Sequence, residues 1–589
     1  MDRIIYNTVS EAELNEHLHE TLARKLPAEP IEFCDWSWAQ IEPLFALLEG
    51  QSIDAENVTL WLTDWSHLSG LIYETYQRLY VAVTVNTNDP DAEARYNRYL
   101  DDIFVNAEAA EQKLGKKLLE SGLQPAGFEL PLRNIQAEVE IFSPANLPLL
   151  AEELKLSSKY DKIIGAQTVQ WQTKEFTLIQ LQSVQRQPER ELREAAWRLE
   201  MRRWLEDRQA INALWTEMFT VRTRLAANLD LPDYRAYRWK KMLRFDYTPQ
   251  DCAQFHAAIE KVVVPASRHL YERRRSKLGV DELHPWDLLV DPGSRPPLQP
   301  YEQIEQLEAG VARIFERVDP QLGEYFAIMR LENLLDLENR KGKAPGGYCT
   351  DFPVSQRPFI LMNAVGIHDD VQTLLHEGGH AFHVFETNHL PYFQQKRIAL
   401  EFAEVASIAM ELLSAPYLPR GQGGFYTEAD AARARIEFLE SSILFWPYMA
   451  VVDGFQHWAY THPSQAVDPA ECDRQWDALW ERFMTGVDWS ELEVERTTGW
   501  QRKLHILQEP FYYVEYGLAQ LGAFQIWQNA LQDQAGAVAA YRRALALGGT
   551  AAVPQLFQAA GVRFAFDAET LQRAVDLGLR TIETLDSIA

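Results

Sequence analysis

His376-Glu377-Gly378-Gly379-His380 constrains this chain more than any other stretch. On a helix, two histidines four apart project the same way, about 40° apart around the axis. The pattern predicts a helix there, with both imidazoles within reach of one ion. Glu377, beside the first histidine, can then face a water on that ion. Two imidazole ligands, an open coordination position and a carboxylate that takes a proton are the parts a zinc-dependent hydrolase needs. Five residues can also match by chance, so the reading depends on what else the chain supplies.

Helical periodicity dominates elsewhere, and the fold class is read as mainly α. Segment 189–228 spaces its apolar residues three and four apart between Arg and Glu. Residues 1–124 read as several helices. Between 125 and 185, Pro125, Pro131, Pro144 and Pro148 interrupt the pattern, and 176–184 alternates as a strand would. The boundary is placed there: an N-terminal helical lobe, 1–185, and a catalytic domain, 186–589. Loops are expected at 285–300, 339–347 and 415–424, which are rich in Pro and Gly. Residues 348–366 read as short strands forming a small sheet beside the motif helix. Asp369 and Asp370 offer that helix an N-cap and a first-turn charge.

Lys and Arg number 57 against 85 Asp and Glu, a net charge of −28. Such a surface repels phosphate backbones and anionic membrane faces, and no basic stripe offsets it. Nucleic-acid and membrane partners are therefore not expected. Cys34, Cys252, Cys349 and Cys472 lie far apart with no CxxC pair, as reduced thiols of a cytoplasmic protein would. The first twenty residues lack a basic stretch followed by an apolar run, so no signal peptide is expected. No apolar run reaches the roughly 18 residues of a membrane span.

A zinc site needs a third protein ligand. Residues 401–413, EFAEVASIAMELL, place Glu401, Glu404 and Glu411 on or near one helix face. Glutamates usually mark a solvated face. Here Phe402, Ala403, Val405, Ala406, Ile408 and Ala409 leave little polar surface, so these carboxylates need partners. Glu404 and Glu411 are two turns apart, so one could ligate while the other supports a histidine. His383 lies on the motif helix too, but three histidines there cannot all close on one ion. It reads as a supporting or core histidine. Gly378 and Gly379 each cost a helix roughly 1 kcal/mol relative to Ala. Their missing side chains would let a peptide or another helix pass close to the metal.

DDVQTLLHEGGHAFHVFE followed by EFAEVASIAMELL resembles the active site of the thimet oligopeptidase and oligoendopeptidase F family of zinc metallopeptidases. Gly379 matches the family's HExGH glycine, and Glu404 with Ser407 matches its F-x-E-x-x-S. The resemblance implies one Zn²⁺ per chain, held by His376, His380 and Glu404, with Glu377 as general base. HILQEPFYYVEYGLAQLGA (505–523) is similar to the family's segment of a histidine followed by paired tyrosines. It implies that His505, Tyr513 and Tyr516 face the scissile carbonyl, with Tyr512 in the core. Donors aimed at the oxyanion are worth on the order of 3 kcal/mol each. GGY (346–348), RPFILMN (357–363) and PWD (285–287) match too. They imply substrate contacts at Gly347, Tyr348 and Asn363, with 358–363 an edge strand that pairs with peptide.

The resemblance covers roughly 190–589 and implies two helical lobes around a deep channel. Gly378 departs from it, since a larger residue is usual there, and puts subsite shape in question. The expected activity is zinc-dependent endopeptidase cleavage of short unfolded peptides. A zinc carboxypeptidase or dipeptidyl-peptidase would need a fixed Arg or Lys for the substrate carboxylate, which sequence cannot place. A non-catalytic peptide-binding protein is the other alternative, and the intact Glu377 argues against it.

Overall fold

The computed structural model describes residues 25–589 apart from 28, 87, 88, 341, 342 and 345. The expectations for the first 24 residues lie outside that range.

Helices build most of the chain, as the periodicity predicts. In the N-terminal part, the long helix Val58–Val85 packs with Trp38–Gly50, Val105–Ser121 and Glu129–Glu140. Trp61, Trp65, Leu68, Leu114 and Leu118 close a separate hydrophobic core there. That core ends near residue 140, earlier than the expected boundary at 185. Helix Leu147–Gly165 already belongs to the main core through Leu149, Leu156 and Tyr160. Two of the prolines that suggested a break stand in first turns, Pro131 in Glu129–Glu140 and Pro148 in Leu147–Gly165. There a missing N–H removes no intrahelical bond.

The strand expected at 176–184 is mostly helix. Strand β1 (Thr168–Trp171) pairs antiparallel with β2 (Lys174–Thr177), and a helix then runs Leu178–Gln185. Leu178 and Leu181 pack against Ala196, so three-residue spacing prevails over a weak alternation. Segment 189–228 forms two helices, Arg190–Glu206 and Arg208–Ala227, meeting at Asp207.

A second sheet contains β3 (Leu335–Glu338), β4 (Tyr348–Phe352) and β5 (Arg357–Ala364), in the order β3-β5-β4. β5 runs parallel to β3 and antiparallel to β4, with Cys349 opposite Ile360. The expected edge strand, 358–363, is therefore the central one, and β4 is an edge. Ile360, Leu361 and Met362 are buried in succession, as in a strand covered on both faces. The turn between β4 and β5 is held from the N-terminal part. Fully buried Glu74 accepts hydrogen bonds from Val354 N and Ser355 N, both at 2.9 Å, and pairs with Arg78 at 2.7 Å.

The HEGGH motif sits on helix His368–Thr387, capped by Asp370. The Asp370 carboxylate accepts from Val365 N, Gly366 N and Ile367 N at 2.8–2.9 Å and from the Tyr301 hydroxyl. Asp369 supplies first-turn charge and pairs with Arg186. The next helix, Leu400–Ser414, crosses the motif helix closely enough to require Gly379. A Cβ there would lie 2.5 Å from Ala406 O and 2.6 Å from Ser407 Cα. A Cβ on Gly378 would lie 2.4 Å from Phe315 Cζ. Gly378 thus faces the core, on the side of the helix opposite the two histidines, and does not shape a subsite. Of the two uses expected for these glycines, passage of another helix is the one seen.

Candidate active site

Adjacent helices bring His376, His380 and Glu404 together. Their candidate ligand atoms lie within 4.8 Å of one another. Glu404 Oε2 is 3.5 Å from His376 Nε2 and 3.8 Å from His380 Nε2. Four ligands around zinc at about 2.1 Å stand roughly 3.4 Å apart. The donor set and its spacing therefore fit that ion.

Glu411, two turns after Glu404, places Oε1 2.8 Å from His376 Nδ1, the ring nitrogen facing away from Glu404. Glu401 does not join the cluster. It lies 3.9 Å from buried Arg244. Ser407 Oγ donates to Glu404 Oε2 at 3.0 Å. Burial alone would raise the Glu404 carboxyl, but His376 and His380 outweigh it and bring it down to about 2. Burial would depress His376, but Glu404 and Glu411 hold it well above the usual imidazole range. Burial raises Glu377, against the pull of His380 and His376. Three carboxylates thus share a buried space with two imidazoles, an arrangement that favours an added cation. His383 stands apart in the core, edge-on to Phe402, and burial lowers it to about 3, so it is neutral.

The paired tyrosines differ from expectation. Tyr512 is half-buried and donates its hydroxyl to Glu404 Oε1 at 3.2 Å. Tyr513 is 5% exposed and packs against Phe445 and Tyr448. The reason is where the helix begins. Tyr513 is its first residue and Tyr512 its N-cap. Tyr512 and Tyr516, four apart, share a face while Tyr513 turns away. That spacing was visible in the sequence and could have separated the pair. The rings of Tyr512 and Tyr516 lie 5.3 Å apart, and His505 is 5.9 Å from each. Burial, with Lys503 nearby, lowers His505 to about 4, so its ring is neutral at pH 7. Its Nδ1 is buried without a hydrogen-bond partner.

Two supports for this segment were not foreseen. Phe511 adopts a left-handed φ of +66° just before Tyr512. Arg244 donates to Phe511 O and to Glu515, and Phe511 N donates to Gln456 Oε1 at 2.6 Å. A cavity of about 560 Å³ opens between Arg133 of the N-terminal helices and Glu401, His505, Tyr512 and Tyr516.

The three residues expected to touch substrate lie around β4. The hydroxyls of Tyr348 and Thr84 share a hydrogen bond of 2.6 Å. Asn363 donates to Ala344 O and Gly346 O at 2.8 and 2.9 Å, closing the turn before β4. Gly347 lies against β5, where a Cβ would stand 3.3 Å from Leu361 O. The side chains of Tyr348 and Asn363 thus already bond within the protein. Asp287 of PWD likewise pairs with Arg190 and Arg193, at 2.7 and 2.9 Å, as a buried clamp.

Residues 183–576 match the model of peptidase family M3, and the chain belongs to that family. Within it, the likeness runs to oligoendopeptidase F. The chain is 33% identical over 159 residues to oligopeptidase PepF of Bacillus subtilis, covering 26% of this chain and 22% of that protein. It is 22% identical over 295 residues to an oligoendopeptidase F homologue of Borreliella burgdorferi, covering 49% of this chain and 48% of the relative. The matched stretches thus span about half or less of these curated relatives. The fold is similar to that of the solved PZ peptidase A, with a TM-score of 0.86 and 27% identity over 94% of this chain and 99% of the other. Among the described residues, no helix is long and apolar enough to cross a membrane.

Proposed function

We propose that the chain is a zinc-dependent oligoendopeptidase that hydrolyses internal bonds of short, unfolded peptides. The convergence of His376, His380 and Glu404, with Glu411 behind His376, carries this reading. These three residues would hold one catalytic Zn²⁺. When bound, the ion supplies a Lewis acid and an acidified water. Glu377 accepts the water's proton and returns it to the leaving amine. Tyr516 and His505 hydrogen-bond the developing oxyanion. Tyr512, through Glu404, fixes the third ligand. Tyr513 acts by packing, holding His505 and Tyr516 in place.

The edge of β4 beside the motif helix is the place for an extended peptide backbone. The cavity between the lobes admits a single chain and excludes folded proteins. All four cysteines are free, as a reducing, cytoplasmic setting would keep them. The test is mass spectrometry of products from an end-blocked peptide library, with and without chelator. Internal cuts that chelation abolishes are expected. Removal of single residues or dipeptides from free ends would favour the exopeptidase alternative, and no cleavage a peptide-binding role.

A further inference from the structure

A second set of metal-type donors lies behind the Phe511 corner. Cys252 and His256 are four apart on helix Pro249–Leu278, and Asp453 and His457 are four apart on helix Glu428–Thr461. Each pair therefore shares a face, and the faces meet. Cys252 Sγ, an Asp453 oxygen and a His457 ring nitrogen lie within 4.8 Å of one another. Asp453 Oδ2 is 2.8 Å from His256 Nε2 and 3.3 Å from His457 Nε2. Cys252 and Asp453 are wholly buried and His256 nearly so.

The hydrogen bonding does not explain this cluster. Neither oxygen of Asp453 has a hydrogen bond of regular geometry, and nor does Nε2 of either histidine. A buried carboxylate costs several kcal/mol unless it is well paired. An ion-paired Asp–His network would aim its N–H groups at the oxygens. Here the atoms are close but misaligned, converging on a shared space. Arg235 sits 3.4 Å from His457 Nδ1, on the other side of the ring. Trp239 and Phe511 flank His457, and Phe483 flanks His256, so the walls are apolar.

We propose that Cys252, Asp453 and His457 form a second, structural metal site for Zn²⁺ or a similar divalent transition ion. His256, one turn along from Cys252, stands beside this trio with Nε2 2.8 Å from Asp453 Oδ2. Thiolate, carboxylate and imidazole together suit zinc and disfavour Ca²⁺ and Mg²⁺. Binding releases the Cys252 thiol proton, and one thiolate with one carboxylate then balances the dication. The ion would join the two helices and stiffen the corner from which Tyr512 and Tyr516 project, since His457 packs edge-on against Phe511 at 5.2 Å. This assignment is independent of the catalytic reading.

The experiment uses the full-length chain loaded with Co²⁺. The HEGGH cluster contains no sulfur ligand, and the chain's other three thiols remain in Cys252→Ser, so a thiolate-to-Co²⁺ charge-transfer band lost in that variant reports on Cys252. Expected are that band in the wild type, its persistence with about one bound ion in His380→Ala, and its loss in Cys252→Ser. Absence of the band in Co²⁺-loaded wild type overturns the site, whether or not the variants fold. So does a folded His380→Ala chain that holds no ion after dialysis against zinc.

Discussion

Glu411 Oε1 lies 2.8 Å from His376 Nδ1, while Nε2 of the same ring faces Glu404. One imidazole is thus gripped from behind by one carboxylate and turned toward another. That fixes its tautomer and its orientation. Glu411→Gln should weaken zinc binding by about 10- to 100-fold, the usual effect of losing such a support. Glu401→Ala, removed from the cluster, should leave it near wild type. Zinc competition against a chromogenic chelator reads both, and equal affinities in the two variants would contradict the assignment.

Glu377→Gln should retain zinc and lose peptide cleavage by at least about 100-fold, since the amide keeps the shape but not the basicity. Elemental analysis alongside turnover separates the two effects. Wild-type-like turnover would sink the proposed mechanism.

The tyrosines should sort by hydroxyl contact. Tyr516→Phe should lower kcat by roughly 100-fold or more with little change in KM, because its donor serves the transition state. Tyr512→Phe should chiefly weaken metal retention, through Glu404. Tyr513→Phe keeps the ring packed on Phe445 and Tyr448 and should be nearly silent. A larger activity loss in Tyr513→Phe than in Tyr516→Phe would restore the sequence-based expectation.

Gly378→Ala pushes a methyl group into Phe315 and should cost about 1–3 kcal/mol of stability, the range for overpacked cores. Cleavage-site preference should not move. Gly379→Ala should be worse, since it meets the backbone of Ala406 and Ser407, which cannot swing aside as a ring can. Thermal denaturation with product mapping checks both, and a changed cleavage pattern in Gly378→Ala would return that residue to the subsites.

How much of this was legible depended on range. The shared face of His376 and His380 follows from helical spacing, because one turn of helix converts sequence distance into direction. Glu404 rather than Glu401 needed the family resemblance, since both lie near one face. Tyr513 was taken over Tyr512 because the resemblance was carried over by position, and one residue's difference turns a side chain by about 100° around a helix. The place of β5 was hidden because its parallel neighbour β3 is only four residues of ordinary composition, LDLE. Gly378 was misread because its partner, Phe315, belongs to a distant helix, and no local pattern reveals a contact of that kind.

Glu74 gives the N-terminal lobe a further meaning. The family match begins at residue 183, after the whole helix that carries this carboxylate. A chain trimmed to the matched region would keep all three metal-cluster residues and Tyr512, Tyr513 and Tyr516. It would lose the acceptor for Val354 N and Ser355 N, and with it a hold on the turn between β4 and β5. The peptide track proposed at β4, unlike the metal cluster, would draw on both lobes.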